Sequence, residues 1–245
     1  MTTLLLHSSG LTGRQWRGLI RELSGPCLAP NYSGYPGGPS WTEGAAWEAD
    51  TEVILQILDG VDGPVDLVGH SYGGAVALRV AARRPDRIRR MVLHDPVVWG
   101  MLEEDGQGTL EDSLGSALFS RLLCEKTGGD EPWLKAFLAY WNGEGAWQSM
   151  SERNRAALLQ VGRKVFREVW DLCTDRTPAS AYDGVECPVR ITMGADSPIE
   201  ERRVCHTLAG RLPQRELCVL PCGHMAPLTH PKLFQRAVRE FLLAD

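Results

Sequence analysis

The sequence predicts an α/β fold, a mostly parallel sheet of about six strands covered by helices on both faces. Short apolar runs recur along the chain, and a helical pattern follows most of them. The runs are mostly continuous rather than alternating in polarity, as in strands buried on both faces. A chain of 245 residues, 43% of them hydrophobic and 23% charged, can form one large core. The predicted strands are Thr3–His7, Cys27–Ala29, Val65–Gly69, Met91–His94, Val189–Met193 and Leu217–Leu220.

Two helices are expected to pack directly against this sheet. Between Gly73 and Arg84, small and aliphatic residues recur at helical spacing, and Pro85 ends the pattern because it disfavours helix in the residue before it. Near the end of the chain, Pro231 suits the first turn of a helix whose apolar residues form one stripe. The chain therefore predicts an amphipathic helix as its last element.

Residues 97–186 contain no convincing strand and separate the fourth predicted strand from the fifth. This stretch is too long for a plain crossover connection, so we expect a helical cap inserted after the fourth strand. The predicted organisation is a core of residues 1–96 and 187–245 and a cap of residues 97–186. Tryptophans are concentrated in the predicted cap, at Trp99, Trp133, Trp141, Trp147 and Trp170.

Charge and cysteine usage limit the possible partners. A net charge of −5 gives no general attraction to nucleic acid or to anionic lipid, so we expect a small, uncharged or apolar substrate. No apolar run is long enough to cross a membrane or to act as a signal segment. The 7 irregularly spaced cysteines do not indicate a disulfide framework, and a reducing cytoplasm is the simplest location.

A serine lies between two glycines where the third predicted strand meets the helix that follows. Gly69-His70-Ser71-Tyr72-Gly73 matches the pattern G-x-S-x-G. Glycines on either side allow a sharp turn that exposes the Ser71 hydroxyl at the end of the sheet. The helix behind it directs backbone N–H groups and its positive dipole towards a developing negative charge. Ser71 is therefore the predicted nucleophile.

A serine nucleophile needs a base and an acid that orients the base, and later strand ends supply both. His224 follows the last predicted strand and is the predicted base. Asp196 follows the fifth strand and is the predicted acid, while Asp95, at the end of the fourth strand, is the alternative. Asp95 also suits a simple turn residue before Pro96. A metal site at Cys218, Cys222 and His224 is disfavoured because Cys218 lies within a predicted buried strand.

The order Ser71, Asp196, His224 and the elbow at Ser71 resemble the compact, capped serine hydrolases of the α/β-hydrolase fold, over essentially the whole chain. His7-Ser8-Ser9-Gly10 is similar to the family's His-Gly-x loop, with Ser8 in place of the usual glycine. The resemblance implies a three-layer fold and an oxyanion hole formed by the backbone N–H groups of Ser9 and Tyr72. It also implies that no cofactor or metal is required.

The resulting expectation is a serine hydrolase that cleaves a small carboxylic ester or a related acyl substrate through an acyl-enzyme. One alternative is hydrolysis of a carbon–carbon bond in a diketone-like substrate, although similar enzymes commonly carry Gly-His-Trp where this chain has Gly223-His224-Met225. Another is a binding protein with little turnover on the same fold. The predicted pocket residues are Tyr35, Trp99, Trp141, Trp147 and Met225.

Overall fold

The computed structural model describes residues 1–244 and contains one six-stranded parallel sheet in the order β2-β1-β3-β4-β5-β6. Each predicted strand is present, and the observed bounds differ from the predicted ones by a few residues at most. The strands are β1 (Thr3–Leu6), β2 (Cys27–Leu28), β3 (Val65–His70), β4 (Ile88–His94), β5 (Val189–Gly194) and β6 (Arg215–Leu220).

Twelve α-helices surround the sheet, and none of those within residues 1–244 is long and apolar enough to span a membrane. The first three are α1 (Arg17–Ile20), α2 (Ala46–Asp59) and α3 (Tyr72–Arg83). Those between β4 and β5 are α4 (Leu110–Leu114), α5 (Ser116–Leu122), α6 (Glu131–Asn142), α7 (Ala146–Ser149), α8 (Glu152–Gln160) and α9 (Gly162–Thr174). The last three are α10 (Ile199–Arg211), α11 (Ala226–Thr229) and α12 (Pro231–Leu242).

The two faces of the sheet are covered by different helices because side chains alternate along each strand. Leu5, Val68 and Val92 pack against α1 and α12. Their neighbours along the same strands, such as Leu4 and Leu67, pack on the opposite face in the larger core with α2, α3 and α10. The result is three layers, helix, sheet and helix.

The register of the sheet brings the carboxyl ends of its strands to one edge. Leu6 pairs with Gly69, His70 pairs with His94, and His94 pairs with Thr192. In parallel strands, the loops that follow such paired ends emerge side by side. Ser9, Ser71, Asp95 and the loops that contain Asp196 and His224 therefore share this edge.

The chain between β4 and β5 forms short 3₁₀ turns and the helices α4–α9. Two separate helices, α8 and α9, follow each other closely here, because Val161 between them leaves α-helical geometry at φ −105° and ψ 6°. Trp133 packs against Phe137 and Phe166 inside this helical segment. Its indole contributes to the segment's own apolar core.

Candidate active site

Ser71 occupies a strained turn between β3 and α3. Its φ of 57° and ψ of −122° lie in a region that residues with a side chain rarely adopt. The turn is held by main-chain hydrogen bonds, from the Ser71 N–H to the His94 carbonyl at 2.9 Å and from the Gly74 N–H to the Ser71 carbonyl at 2.8 Å. Ser71 is 6% exposed and lines a cavity of about 840 Å³.

The glycines of the elbow are required by close contact with the backbone. A Cβ on Gly73 would overlap the carbonyl oxygens of Leu6 and His7, and a Cβ on Gly69 would overlap the Gly73 carbonyl. Neither clash can be relieved by rotating a side chain. Both positions therefore require glycine, because the backbones of β1, β3 and α3 approach each other closely at this turn.

We expect Gly73→Ala to lower the free energy of unfolding by more than about 3 kcal/mol, since the added methyl group must displace two strand-end carbonyls. Gly184→Ala is the matched control, because a Cβ on Gly184 meets nothing within 4 Å. Urea unfolding of both variants tests this expectation. Equal stability of the two variants would show that the elbow tolerates a side chain.

The carboxylate that contacts His224 belongs to Asp95, at the end of β4. His224 Nδ1 lies 3.3 Å from Asp95 Oδ2, and both side chains are buried. The Ser197 hydroxyl donates to the same oxygen at 2.6 Å, and the Gly194 N–H donates to Oδ1 at 3.1 Å. Asp95 adopts a φ of 41°, which directs its carboxylate into this cluster.

Asp196, the acid preferred from the sequence, is not placed to orient His224. Its side chain is exposed, and within the described chain up to Ala244 it makes no hydrogen bond to that imidazole. The loop after β5 turns Asp196 towards the surface and buries the next residue, Ser197, against Asp95. The geometry thus favours the alternative, Asp95. The supporting Ser197 carries no signal in the sequence.

The surroundings of Asp95 keep its carboxylate ionised. Burial raises the pKa of this group, but the neighbouring His94 imidazole and the hydrogen bonds from His224 and Ser197 lower it more strongly. The net pKa lies well below the usual range of an aspartate. A charged Asp95 can hold an Nδ1–H tautomer of His224, which leaves Nε2 free to accept a proton.

The main-chain N–H groups of Ser9 and Tyr72, the two donors expected from the sequence, have no backbone acceptor among residues 1–244. The N–H groups on either side of Ser9 are engaged, since Ser8 donates to Gln15 Oε1 at 3.1 Å and Gly10 donates to the Tyr35 hydroxyl at 2.9 Å. The loop is therefore anchored on both sides of the free Ser9 amide.

A chain of side-chain contacts connects this loop to His224. Gln15 Nε2 lies 2.9 Å from His70 Nδ1, and His70 Nε2 lies 2.8 Å from the His224 carbonyl oxygen. Burial, with nearby His224 and His94, places the pKa of His70 well below its usual value, so this imidazole is neutral. A neutral ring can accept from Gln15 and donate to His224 at once. Gln15 was not singled out from the sequence, because a lone glutamine in a helical turn gives no signal.

Acidification is expected to destabilise the protein through buried histidines such as His7. Burial lowers the His7 pKa from 6.5 to about 4. The hydrogen bond to the Ser8 carbonyl raises this pKa and the nearby charge of Lys164 lowers it, but both effects are smaller than that of burial. Between these pH values the unfolded chain binds more protons, so the free energy of unfolding falls as pH falls. Urea unfolding at pH 7 and pH 4.5 should show a pH-dependent loss about 2 kcal/mol smaller in His7→Asn than in wild type. An equal loss in both proteins would exclude His7 as a source.

The cavity that contains Ser71 and His224 has a volume of about 840 Å³. Of the predicted pocket residues, Trp99, Trp141 and Met225 line it. The predictions for Tyr35 and Trp147 do not match the structure: the Tyr35 hydroxyl is bound to Gly10 and Glu168, and Trp147 is buried away from the cavity wall.

Trp141 covers the imidazole of His224. The two rings are stacked, with centroids 4.0 Å apart and planes inclined by 22°. Trp99 stacks on Trp141 with the ring centroids 6.0 Å apart. Its Nε1 donates a hydrogen bond to Glu201 Oε1 at 2.6 Å. The helical segment therefore supplies aromatic surface directly over the base. No group of three or more His, Cys, Asp or Glu side chains in residues 1–244 is arranged to hold a metal ion.

Comparison with known proteins agrees with this fold. The chain is 27% identical over 249 residues to a 2-hydroxymuconate semialdehyde hydrolase of Pseudomonas putida, covering 98% of this chain and 86% of that protein. It is 27% identical to a pimeloyl-[acyl-carrier protein] methyl ester esterase of Aromatoleum aromaticum, covering 94% and 93% of the two chains. The solved structure of an esterase from Exiguobacterium antarcticum superposes with a TM-score of 0.77 at 15% identity, covering 100% of this chain and 92% of that one. The family model for the alpha/beta hydrolase family matches residues 3–237. This chain is therefore a member of the alpha/beta hydrolase family.

Proposed function

We propose that the protein is a serine hydrolase that cleaves a small carboxylic ester through an acyl-enzyme. The observation that carries the proposal is one cavity in which Ser71 occupies a strained elbow and His224 is held by a buried, ionised Asp95. This arrangement supplies a nucleophile, a base and a group that orients the base.

Each residue has a defined role in the proposed reaction. Ser71 Oγ attacks the carbonyl carbon of the ester while His224 Nε2 takes the hydroxyl proton. The N–H groups of Ser9 and Tyr72 stabilise the resulting oxyanion. When the tetrahedral intermediate collapses, the alcohol leaves with the proton from His224. Water, activated by the same imidazole, then releases the acid and restores Ser71.

The helical segment between β4 and β5 is proposed to act as the cap over this reaction. It contributes Trp99, Trp141 and Phe137 to the cavity wall. Apolar surface over the reacting atoms excludes water, and water-free surroundings strengthen the hydrogen bonds to a developing oxyanion.

Hydrolysis of a carbon–carbon bond is a second candidate function. It is favoured by the similarity over nearly the whole chain to the 2-hydroxymuconate semialdehyde hydrolase. A diketone-like substrate would present its carbonyl to the same side chains. The Gly223-His224-Met225 sequence still differs from the Gly-His-Trp common in such enzymes.

Turnover of a substrate series separates these candidates. We expect the wild-type protein to hydrolyse p-nitrophenyl esters of increasing acyl length, with kcat/KM rising as the acyl chain fills the apolar wall of the cavity. A lactone and a vinylogous diketone belong in the same series. Cleavage of the diketone with no ester turnover would overturn the esterase assignment and support the second candidate.

A further inference from the structure

The cavity contains positive charge without negative charge. Three arginines line it, Arg14, Arg17 and Arg153. Among the described residues 1–244, no aspartate or glutamate lines it. This local composition is unusual for a chain whose acidic residues outnumber its basic ones, 31 to 26.

The three guanidinium groups are free to bind a ligand. Across the described part of the chain, their side chains form no ion pair or hydrogen bond with another residue. Many other arginines are occupied, as Arg83 is by Glu48 and Arg190 is by Glu216. An unpaired guanidinium offers several N–H donors in a plane that matches a carboxylate or phosphate.

The arginines lie around the opening of the cavity rather than at its base. Arg14 and Arg17 follow the loop that carries Ser9, whereas Arg153 belongs to α8 in the helical segment. All three are exposed, while Ser71 and His224 are 6% and 3% exposed. Apolar side chains, among them Val97, Phe137 and Leu172, also line the cavity.

We infer that the natural substrate carries an anionic group at the end remote from the scissile bond, bound by Arg14, Arg17 and Arg153. The inference rests on the proposed esterase function and departs from the uncharged substrate expected from net charge alone. A carboxylate and a phosphate share the required chemistry. The substrate class is an ester whose apolar chain ends in one of these anions.

Three p-nitrophenyl ester series of matched chain length test the inference, ending in a carboxylate, a phosphate or a neutral carboxamide. We expect the preferred anionic series to exceed the carboxamide series in kcat/KM by at least tenfold at low salt, mainly through KM, with a smaller ratio at high salt. The larger of the two anionic values identifies the preferred group. Equal kcat/KM values for the anionic and neutral series would overturn the inference while leaving the esterase function intact.

Substitution of the arginines localises the effect. In R14Q/R17Q/R153Q we expect the anionic preference to fall to about the level of the carboxamide series. The matched control R21Q/R215Q/K232Q removes the same charge from exposed side chains outside the cavity and should retain the preference. Loss of preference in the control alone, or in neither variant, contradicts the site.

A binding measurement makes the test independent of turnover. Calorimetry with Ser71→Ala and a dicarboxylate such as adipate should show affinity at least tenfold above that for adipamide. The difference should disappear when the three cavity arginines are also replaced. If no ester is hydrolysed but this difference is present, the proposed reaction fails and the anion site stands.

A separate observation concerns a buried ionic group between α2 and α9. Lys164 is 2% exposed, and its Nζ lies 2.5 Å from Asp50 Oδ2 and 2.9 Å from Glu168 Oε1. Burial lowers the Lys164 pKa, but attraction to Glu168 and Asp50 raises it more, so the ammonium stays charged. The helical segment is thereby joined to the core by a desolvated ion triad.

This triad extends to both sides of the proposed oxyanion hole. The Tyr72 hydroxyl donates to Asp50 Oδ2 at 2.7 Å. The Tyr35 hydroxyl donates to Glu168 Oε2 at 3.0 Å and accepts from the Gly10 N–H at 2.9 Å. Tyr72 carries one proposed oxyanion donor, and Gly10 directly follows the other.

We propose that Glu168, through Tyr35, is a positioning residue for the loop that carries the Ser9 donor. Docking of the helical segment then completes the oxyanion hole. Glu168→Gln and Tyr35→Phe are each expected to lower kcat about tenfold with KM within twofold, because the loop is used most in the transition state. Trp133→Phe, a change inside the segment's own core, is the control and should lower Tm with kcat within twofold. Unchanged kcat in both Glu168→Gln and Tyr35→Phe would overturn this role.

Discussion

Replacing His224 by alanine is expected to lower kcat for ester hydrolysis by roughly 10⁵- to 10⁶-fold, the range found when the base of a serine triad is removed. Without the imidazole, the Ser71 hydroxyl has no proton acceptor within the cavity, and the leaving alcohol has no donor. The residual rate comes from substrate binding and the oxyanion amides alone. The measurement is kcat with the best p-nitrophenyl ester, together with thermal unfolding to show that the fold persists.

His206→Ala is the control for this change. His206 is an exposed histidine on α10, outside the cavity, and its replacement should leave kcat within twofold of wild type. A loss below about 100-fold in His224→Ala would be too small for the sole base and would require another proton acceptor.

Replacing Asp95 by asparagine is expected to lower kcat by about 10⁴-fold, as the equivalent change does in other triads. The amide is nearly isosteric, but it cannot stabilise an imidazolium and it can favour the wrong His224 tautomer. Asp95 also accepts from Ser197 and Gly194, so the same change should reduce stability. Thermal unfolding alongside kcat separates the two effects.

Asp196→Asn provides the comparison that decides between the two carboxylates. Asp196 is exposed and its main-chain N–H donates to the Cys222 carbonyl at 3.0 Å, a contact that the substitution retains. We expect kcat within twofold of wild type. A larger loss in Asp196→Asn than in Asp95→Asn would return the acid to the loop after β5.

The parts of the site that lie next to strand ends could be predicted from the sequence. The elbow at Ser71 combines a strand, a tight glycine-bounded turn and a helix within a few residues, so its pattern is local. His224 follows the last strand in the same way. The choice between Asp95 and Asp196 was not local, because both follow strands that end at the same edge. It depends on the direction in which the β5 loop turns its side chains.

Contacts between residues that are far apart in the chain could not be predicted, because they leave no local pattern in the sequence. Lys164 and Glu168 are one helical turn apart, which suits an ordinary surface ion pair. Asp50, which makes the pair a buried triad, lies in a helix near the start of the chain. The stacking of Trp141 on His224 likewise depends on how the helical segment packs over the sheet. The net charge likewise could not predict the three arginines at the cavity opening, because it sums over the whole chain and does not say where each charge lies.

Covalent labelling with a fluorophosphonate tests the central claim, that Ser71 is an activated nucleophile, most directly. Such a reagent phosphonylates a serine hydroxyl that a neighbouring base activates. Intact-mass analysis of the wild-type protein should show a single adduct, and peptide mapping should place it on Ser71. Ser71→Ala should show none under the same conditions. Equal labelling of the two proteins, or an adduct mapped to another residue such as Ser9, would contradict the account.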